Sequence, residues 1–202
     1  MQLRRLRHAL VAVIVPAALV GLTVGPADAA AKAPKVPAPA KVAAAYPHLA
    51  GVTPATYSGK AQPGTCTPAK VVKGAKVSSA SYTTAATATA SAPYVLVAAT
   101  RFKSAAKAKA YLKGAIKVAK CTAEAAGFTM TTAKIGFKLK GTDQRLGYSS
   151  HQTIAGTAVS SETLLARKGE KVVSVTAISA DANVPALAPA LQLLKAGVKT
   201  AR

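Results

Sequence analysis

The chain has 202 residues, with 27 Lys and Arg against only six Asp and Glu, a formal net charge of +21, no Trp and two Cys. That length fits one domain behind a leader. So few acids exclude chemistry that needs several carboxylates, such as calcium loops or paired-acid glycoside hydrolysis.

The first 29 residues read as a secretory signal peptide. Arg4, Arg5, Arg7 and His8 form a basic start, and Ala9 to Val24 an apolar run. Ala27-Asp28-Ala29 then supplies small residues at the cleavage point. The run is shorter than the ~20 residues that span a bilayer, so an uncut anchor is the weaker alternative. Cleavage after Ala29 leaves 173 residues carrying +19 and no transmembrane segment. Secretion or an extracytoplasmic, cell-wall-associated location follows.

Residues 30–45 are almost wholly Ala, Lys and Pro, and read as an extended tether before a domain over 46–202. Residues 61–91 carry mixed signals. Gln62-Pro63-Gly64 is a turn, and Ser78 to Ala92 reads either as a strand or as an irregular excursion. Tyr94 to Ala99 is a buried strand. Ser104 is an N-cap, and a helix is expected to about Lys120. Its apolar face holds Ala105, Ala108, Leu112, Ala115, Ile116 and Ala119. Its cationic face holds Lys109, Lys113, Lys117 and Lys120.

Gly127 to Lys140 predicts one or two strands. Leu146–Ile154, Thr157–Arg167 and Lys171–Ser179 follow as strands, the last two joined by a hairpin at Gly169. Leu187, Leu191, Leu194 and Val198 mark the stripe of a C-terminal helix. The expected fold is α+β: a curved antiparallel sheet with two or more helices packed on one face.

Cys66 and Cys121 are predicted to pair, since an exported chain with two cysteines allows one connectivity; two free thiols are the alternative. The segments Arg101 to Cys121 (RFKSAAKAKAYLKGAIKVAKC), Gly141 to Ser150 (GTDQRLGYSS) and Leu164 to Ser179 (LLARKGEKVVSVTAIS), followed by a last helix, have a familiar order. The chain resembles the extracellular sensor-domain family of actinobacterial Ser/Thr receptor kinases, as a secreted, stand-alone member. The likeness covers residues 90–202 well and 46–89 loosely. Where that family often has Trp before the helix cysteine, this chain has Val118-Ala119-Lys120. The resemblance implies a non-catalytic domain with a cleft and an unidentified extracellular ligand.

No catalytic motif stands out. Ser149, His151 and Asp143 are the residue types of a hydrolase triad, but polar residues on the solvent face of a strand are the favoured reading. No metal site or cofactor is expected. The lysines suggest a second role, in which Lys109, Lys113, Lys117 and Lys120 bind an anionic cell-envelope polymer or lipid headgroups. Specific nucleic-acid binding is not expected, because Arg and stacking aromatics are scarce.

Overall fold

A computed structural model of the chain describes residues 33–201 and the backbone of Leu22–Val24. The rest of the predicted leader, its cleavage site and residues 30–32 of the predicted tether lie outside the described residues. The strands are β1 (Leu22–Val24), β2 (Ala55–Pro63), β3 (Lys76–Tyr82), β4 (Tyr94–Arg101), β5 (Met130–Ile135), β6 (Gln144–Ile154), β7 (Thr157–Lys168) and β8 (Lys171–Ser179). The helices are α1 (Pro39–Ala45), α2 (Ala69–Val72), α3 (Ala105–Ala125) and α4 (Leu187–Thr200).

The strands form one antiparallel sheet in the order β1-β2-β3-β4-β8-β7-β6-β5. The seven strands β2 to β8 lie beyond the predicted leader, and β1 adds a three-residue pairing along β2. Tight turns set the register of the central hairpins. β6 and β7 are joined by Ala155 and Gly156, both at positive φ. That is the geometry that matches strand twist in a two-residue loop. Gly169, at φ 57°, opens the β7–β8 turn.

Because side chains alternate along a strand, the sheet buries two separate cores. On one face Val95, Val97 and Ala99 of β4, Leu164 and Ala166 of β7, and Val173, Val175 and Ala177 of β8 meet Leu193 and Leu194 of α4 and Val42 of α1. On the other, Val77, Leu165 and Val172 meet Phe102 and the α3 residues Tyr111, Leu112, Ala115, Val118 and Ala119. The α+β class and the antiparallel sheet agree with the sequence reading. The helices, expected together on one face, divide between two. Runs such as Leu164-Leu165 and Val172-Val173 are the cause, since adjacent apolar residues in a strand must serve opposite faces.

The tether expectation is corrected over residues 33–45. Pro39 starts a helix at the position where a missing N–H costs nothing. Val42 is fully buried and Ala45 nearly so, in the core beneath α4. A Cβ added at Gly197 would come within 3.6 Å of Pro37, so this segment seats against α4 where that helix has no side chain. An Ala/Lys/Pro composition conceals two apolar residues, Val36 and Val42, whose burial anchors the segment. Val42→Ala is therefore expected to destabilise the chain by roughly 2 kcal/mol in urea unfolding, whereas a tether would not register the change.

In the ambiguous stretch, 76–82 forms the interior strand β3, whose Ser78 hydroxyl lies 3.0 Å from Ser58 on β2. Residues 83–93 are irregular and are held partly by the Tyr94 hydroxyl, which donates to the Ala86 carbonyl at 2.8 Å. Of residues 127–140 only Met130–Ile135 forms a strand.

Candidate functional site

The β7–β8 hairpin and the end of α4 enclose a cleft of about 620 Å³. Ala166, Val173, Val198 and Ala201 supply its apolar walls, and Asp143, Lys168, Glu170 and Lys171 its charged rim. Period two explains the floor: Ala166 and Val173 belong to the α4 face, and the helix ends before it covers the hairpin tip.

Both rim acids are already engaged. Asp143 Oδ2 accepts from the Gly169 N–H at 2.8 Å and faces Arg167 Nη1 at 3.0 Å. Arg167 also donates through Nε to Gln144 Oε1 at 2.9 Å and through Nη1 to the Gly169 carbonyl at 2.8 Å. Glu170 pairs with Arg101, and its carbonyl accepts from the Phe102 N–H at 2.9 Å. These bonds brace the turn and neutralise its carboxylates. Lys168 and Lys171 have no ion-pair partner among the described residues, so the rim is net cationic.

Cys66 and Cys121 form a disulfide with Cα atoms 5.7 Å apart. It ties the segment after β2 to α3. Ser104 caps α3 as expected, accepting from the Lys107 N–H at 3.3 Å. The helix runs past Lys120 to Ala125, so Cys121 lies inside it and not at its end. Its buried stripe includes Tyr111 and Val118 and leaves Ala105 exposed, a rotation of the predicted face. Lys109, Lys113 and Lys117 are exposed and Lys120 is half-buried. These four lysines face away from the hairpin cleft, on the helix of the other sheet face.

Ser149, His151 and Asp143 do not come together as a triad. Asp143 immediately precedes β6 and is committed to Arg167, six residues and ~20 Å of strand from Ser149. His151 Nδ1 lies 3.0 Å from Ser160 Oγ, and that hydroxyl donates to the Asp181 carbonyl at 2.9 Å. Its proton spent there, the serine accepts from His151, which is the reverse of a base activating a nucleophile.

Glu162 is a feature that the sequence reading left among the scattered acids. It is 2 % exposed on the α1/α4 face, and its Oε1 has no hydrogen-bond partner. On one rung of the sheet it follows Tyr82, Val95 and Ala177, with Ser149 beyond it. The hydroxyls of Tyr82 and Tyr46 are likewise buried without partners. Burial lifts the Glu162 carboxyl from 4.5 to about 7. Tyr46 is raised as well, by burial and then by the Glu162 charge. An acid at an even position of a β7 run, in phase with Leu164 and Ala166, was the available signal.

Among the described residues, no cluster of three or more His, Cys, Asp and Glu could hold a metal. No helix among them is long and apolar enough to cross a membrane.

No family model matches the chain. No curated protein matches it either. Among solved structures it is similar to the extracellular domain of PknH from Mycobacterium tuberculosis, with 15% sequence identity over 83% of this chain and 98% of that one, at a TM-score of 0.44.

Proposed function

We propose that the chain is an exported, non-catalytic, sensor-like domain that binds an extracellular ligand in the cleft between the β7–β8 hairpin and α4. The supporting observation is the cleft itself: its volume is in the range of small-molecule sites, with apolar walls and few polar groups. Its acids are neutralised by Arg101 and Arg167, leaving lysines to meet the ligand. The Cys66–Cys121 bridge supports folding outside the cytoplasm.

Native mass spectrometry of protein purified from its own culture medium tests this reading. A small molecule should travel with the wild-type chain. Val198→Trp, at the partly open wall of the cleft, should lose that mass while unfolding at a similar temperature. Absence of any bound mass, or its full retention by a folded Val198→Trp variant, rules the cleft out.

A second reading, a cationic envelope-associated protein, is supported by the exposed lysines of α3. Lys109, Lys113, Lys117 and Lys120 have no ion-pair partner among the described residues. In this reading they hold an anionic polymer or lipid headgroups, with retention falling as salt rises.

A further inference from the structure

Alternation along β7 and β8 lays three rungs in succession on the face that α4 covers. Leu164 lies opposite Val175, Ala166 opposite Val173, and Lys168 opposite Lys171. Directly opposed residues share a face, and successive rungs of that face are ~6.6 Å apart along the strands. The first rung is fully buried in the core beneath α4. The second is the floor of the hairpin cleft, with Val198 and Ala201 at the helix end as its wall. The third is cationic and stands at the rim. A cleft of about 620 Å³ thus passes from hydrocarbon to charge within one rung.

The sign of that charge follows from the ion pairs around it. Asp143 is held by Arg167 and by the Gly169 N–H, and Glu170 by Arg101. Arg101 lies opposite Lys171, so it shares this face, and its guanidinium is spent on Glu170. Each rim carboxylate therefore has its arginine, while Lys168 and Lys171 have no ion-pair partner among the described residues. Like charges directly opposite one another are unfavourable in a ladder. An anion between the two ammonium groups turns that repulsion into attraction. Lys168 is exposed, but Lys171 is half-buried, and at the margin of an apolar cleft its attraction is screened less than in open water.

We propose that the cleft takes a small amphipathic anion, with an apolar body on Ala166 and Val173 and one carboxylate or phosphate head at Lys168 and Lys171. This inference rests on the reading of the cleft as the ligand site and gives that ligand its chemical class. A cationic ligand meets two ammonium groups and carboxylates that are already bound. A neutral ligand leaves the lysine pair repelling. A polymer of charges gains nothing from the apolar floor. Lysine ammoniums are mobile point charges, so the pair accepts a planar carboxylate or a tetrahedral phosphate without forked geometry.

Isothermal titration calorimetry of the chain with its disulfide intact tests this with four probes that share one tail: octanoate, octyl phosphate, octylammonium and octanol. All are used below their micelle concentrations. Octanoate and octyl phosphate should each bind about tenfold or more tightly than octanol, and octylammonium more weakly than octanol. Lys168→Gln with Lys171→Gln should cost the anions about tenfold and leave octanol unchanged. A control of equal charge change, Lys70→Gln with Lys134→Gln, removes two exposed lysines from the α3 side of the sheet. It should alter anion affinity by less than about twofold, because distant exposed charges are screened. The Lys168/Lys171 variant should melt no lower than wild type, since a repulsive pair is gone, and the melt shows that it is folded. Octanol or octylammonium binding as tightly as the anions would overturn the ligand class and leave the cleft standing. Equal losses in the two lysine variants would mean that net charge alone attracts anions, and overturn it as well; so would no binding of either anion. Undiminished octanoate binding by a folded Val198→Trp variant would instead overturn the cleft reading itself, and the ligand class with it.

Discussion

Raising the pH from about 5 to about 8 is expected to remove on the order of 3 kcal/mol from the stability of the folded chain, and Glu162→Gln to abolish most of that loss. The cause is a carboxyl buried without a partner. Glu162 is 2 % exposed, its Oε1 accepts no hydrogen bond, and its neighbours on the rung are Ala177 and Ser149. Ionising it there costs more than in water, so its folded value rises from 4.5 to about 7. The folded state therefore holds the proton more tightly than the unfolded state. This contribution is fully present below about pH 4.5, declines by about 1.4 kcal/mol for each pH unit above that, and levels off above about pH 7. Urea denaturation of wild type and Glu162→Gln across this range measures it. A wild-type profile as flat as that of the variant would show that solvent reaches the carboxylate.

Burial is the cause of the shift at Glu162. Tyr46 brings an unpartnered hydroxyl from the segment after α1, and Tyr82 brings another from β3. His48, next to Tyr46 in an edge-on contact at 6.1 Å, is occupied by the Pro93 carbonyl at 2.9 Å. Lys168 and Lys171, on this face of β7 and β8, stand at the hairpin end, six residues along the strands from Glu162 and its partner Ala177. No cation thus accompanies the carboxylate on its own rung.

The second large effect concerns the crosslink. Replacing Cys66 and Cys121 together by Ala should destabilise the chain by about 4 kcal/mol, the chain-entropy value for a bridge across 55 residues. On the α3 face several core positions are filled by small side chains. Ala115, Ala119 and Ala108 make up much of the α3 contact. The bridge also joins the β2–α2 segment to the second half of α3. The reduced or Ala-substituted chain should accordingly show a lower urea midpoint with a steeper dependence on denaturant, because the unfolded chain expands once the crosslink is gone. A midpoint unchanged on reduction would mean that the unfolded chain is already confined by other contacts. The basic surface adds to the requirement, since a net charge of +21 over 202 residues favours expansion.

Much of the architecture was legible in local patterns. Strand and helix order from Tyr94 onward, the Gly169 turn, the Ser104 cap and the cysteine pair each depend on neighbours in sequence, and each is where the pattern placed it. Boundaries moved where a pattern ran on without a stop signal, as in α3, which continues to Ala125 because Thr122 and Ala123 interrupt nothing. Ser78 to Ala80 could not be assigned from small residues alone; pairing with β2 and β4 on both sides makes them a strand.

The amino-acid order alone determined the class of the protein: a disulfide-bonded, lysine-rich α+β domain, because cysteine number, charge and periodicity are written locally. Only the tertiary structure decided which of its charges lie side by side. Strand register put Lys60, Lys76, Arg101, Lys171 and Lys168 on one line, from positions spread over more than a hundred residues. It buried Glu162 by laying the 33–49 segment over the sheet, and opened a cleft by ending α4 short of the hairpin. Each of these depends on which distant residues become neighbours, and cross-strand pairing is set by long-range contacts that no local pattern encodes.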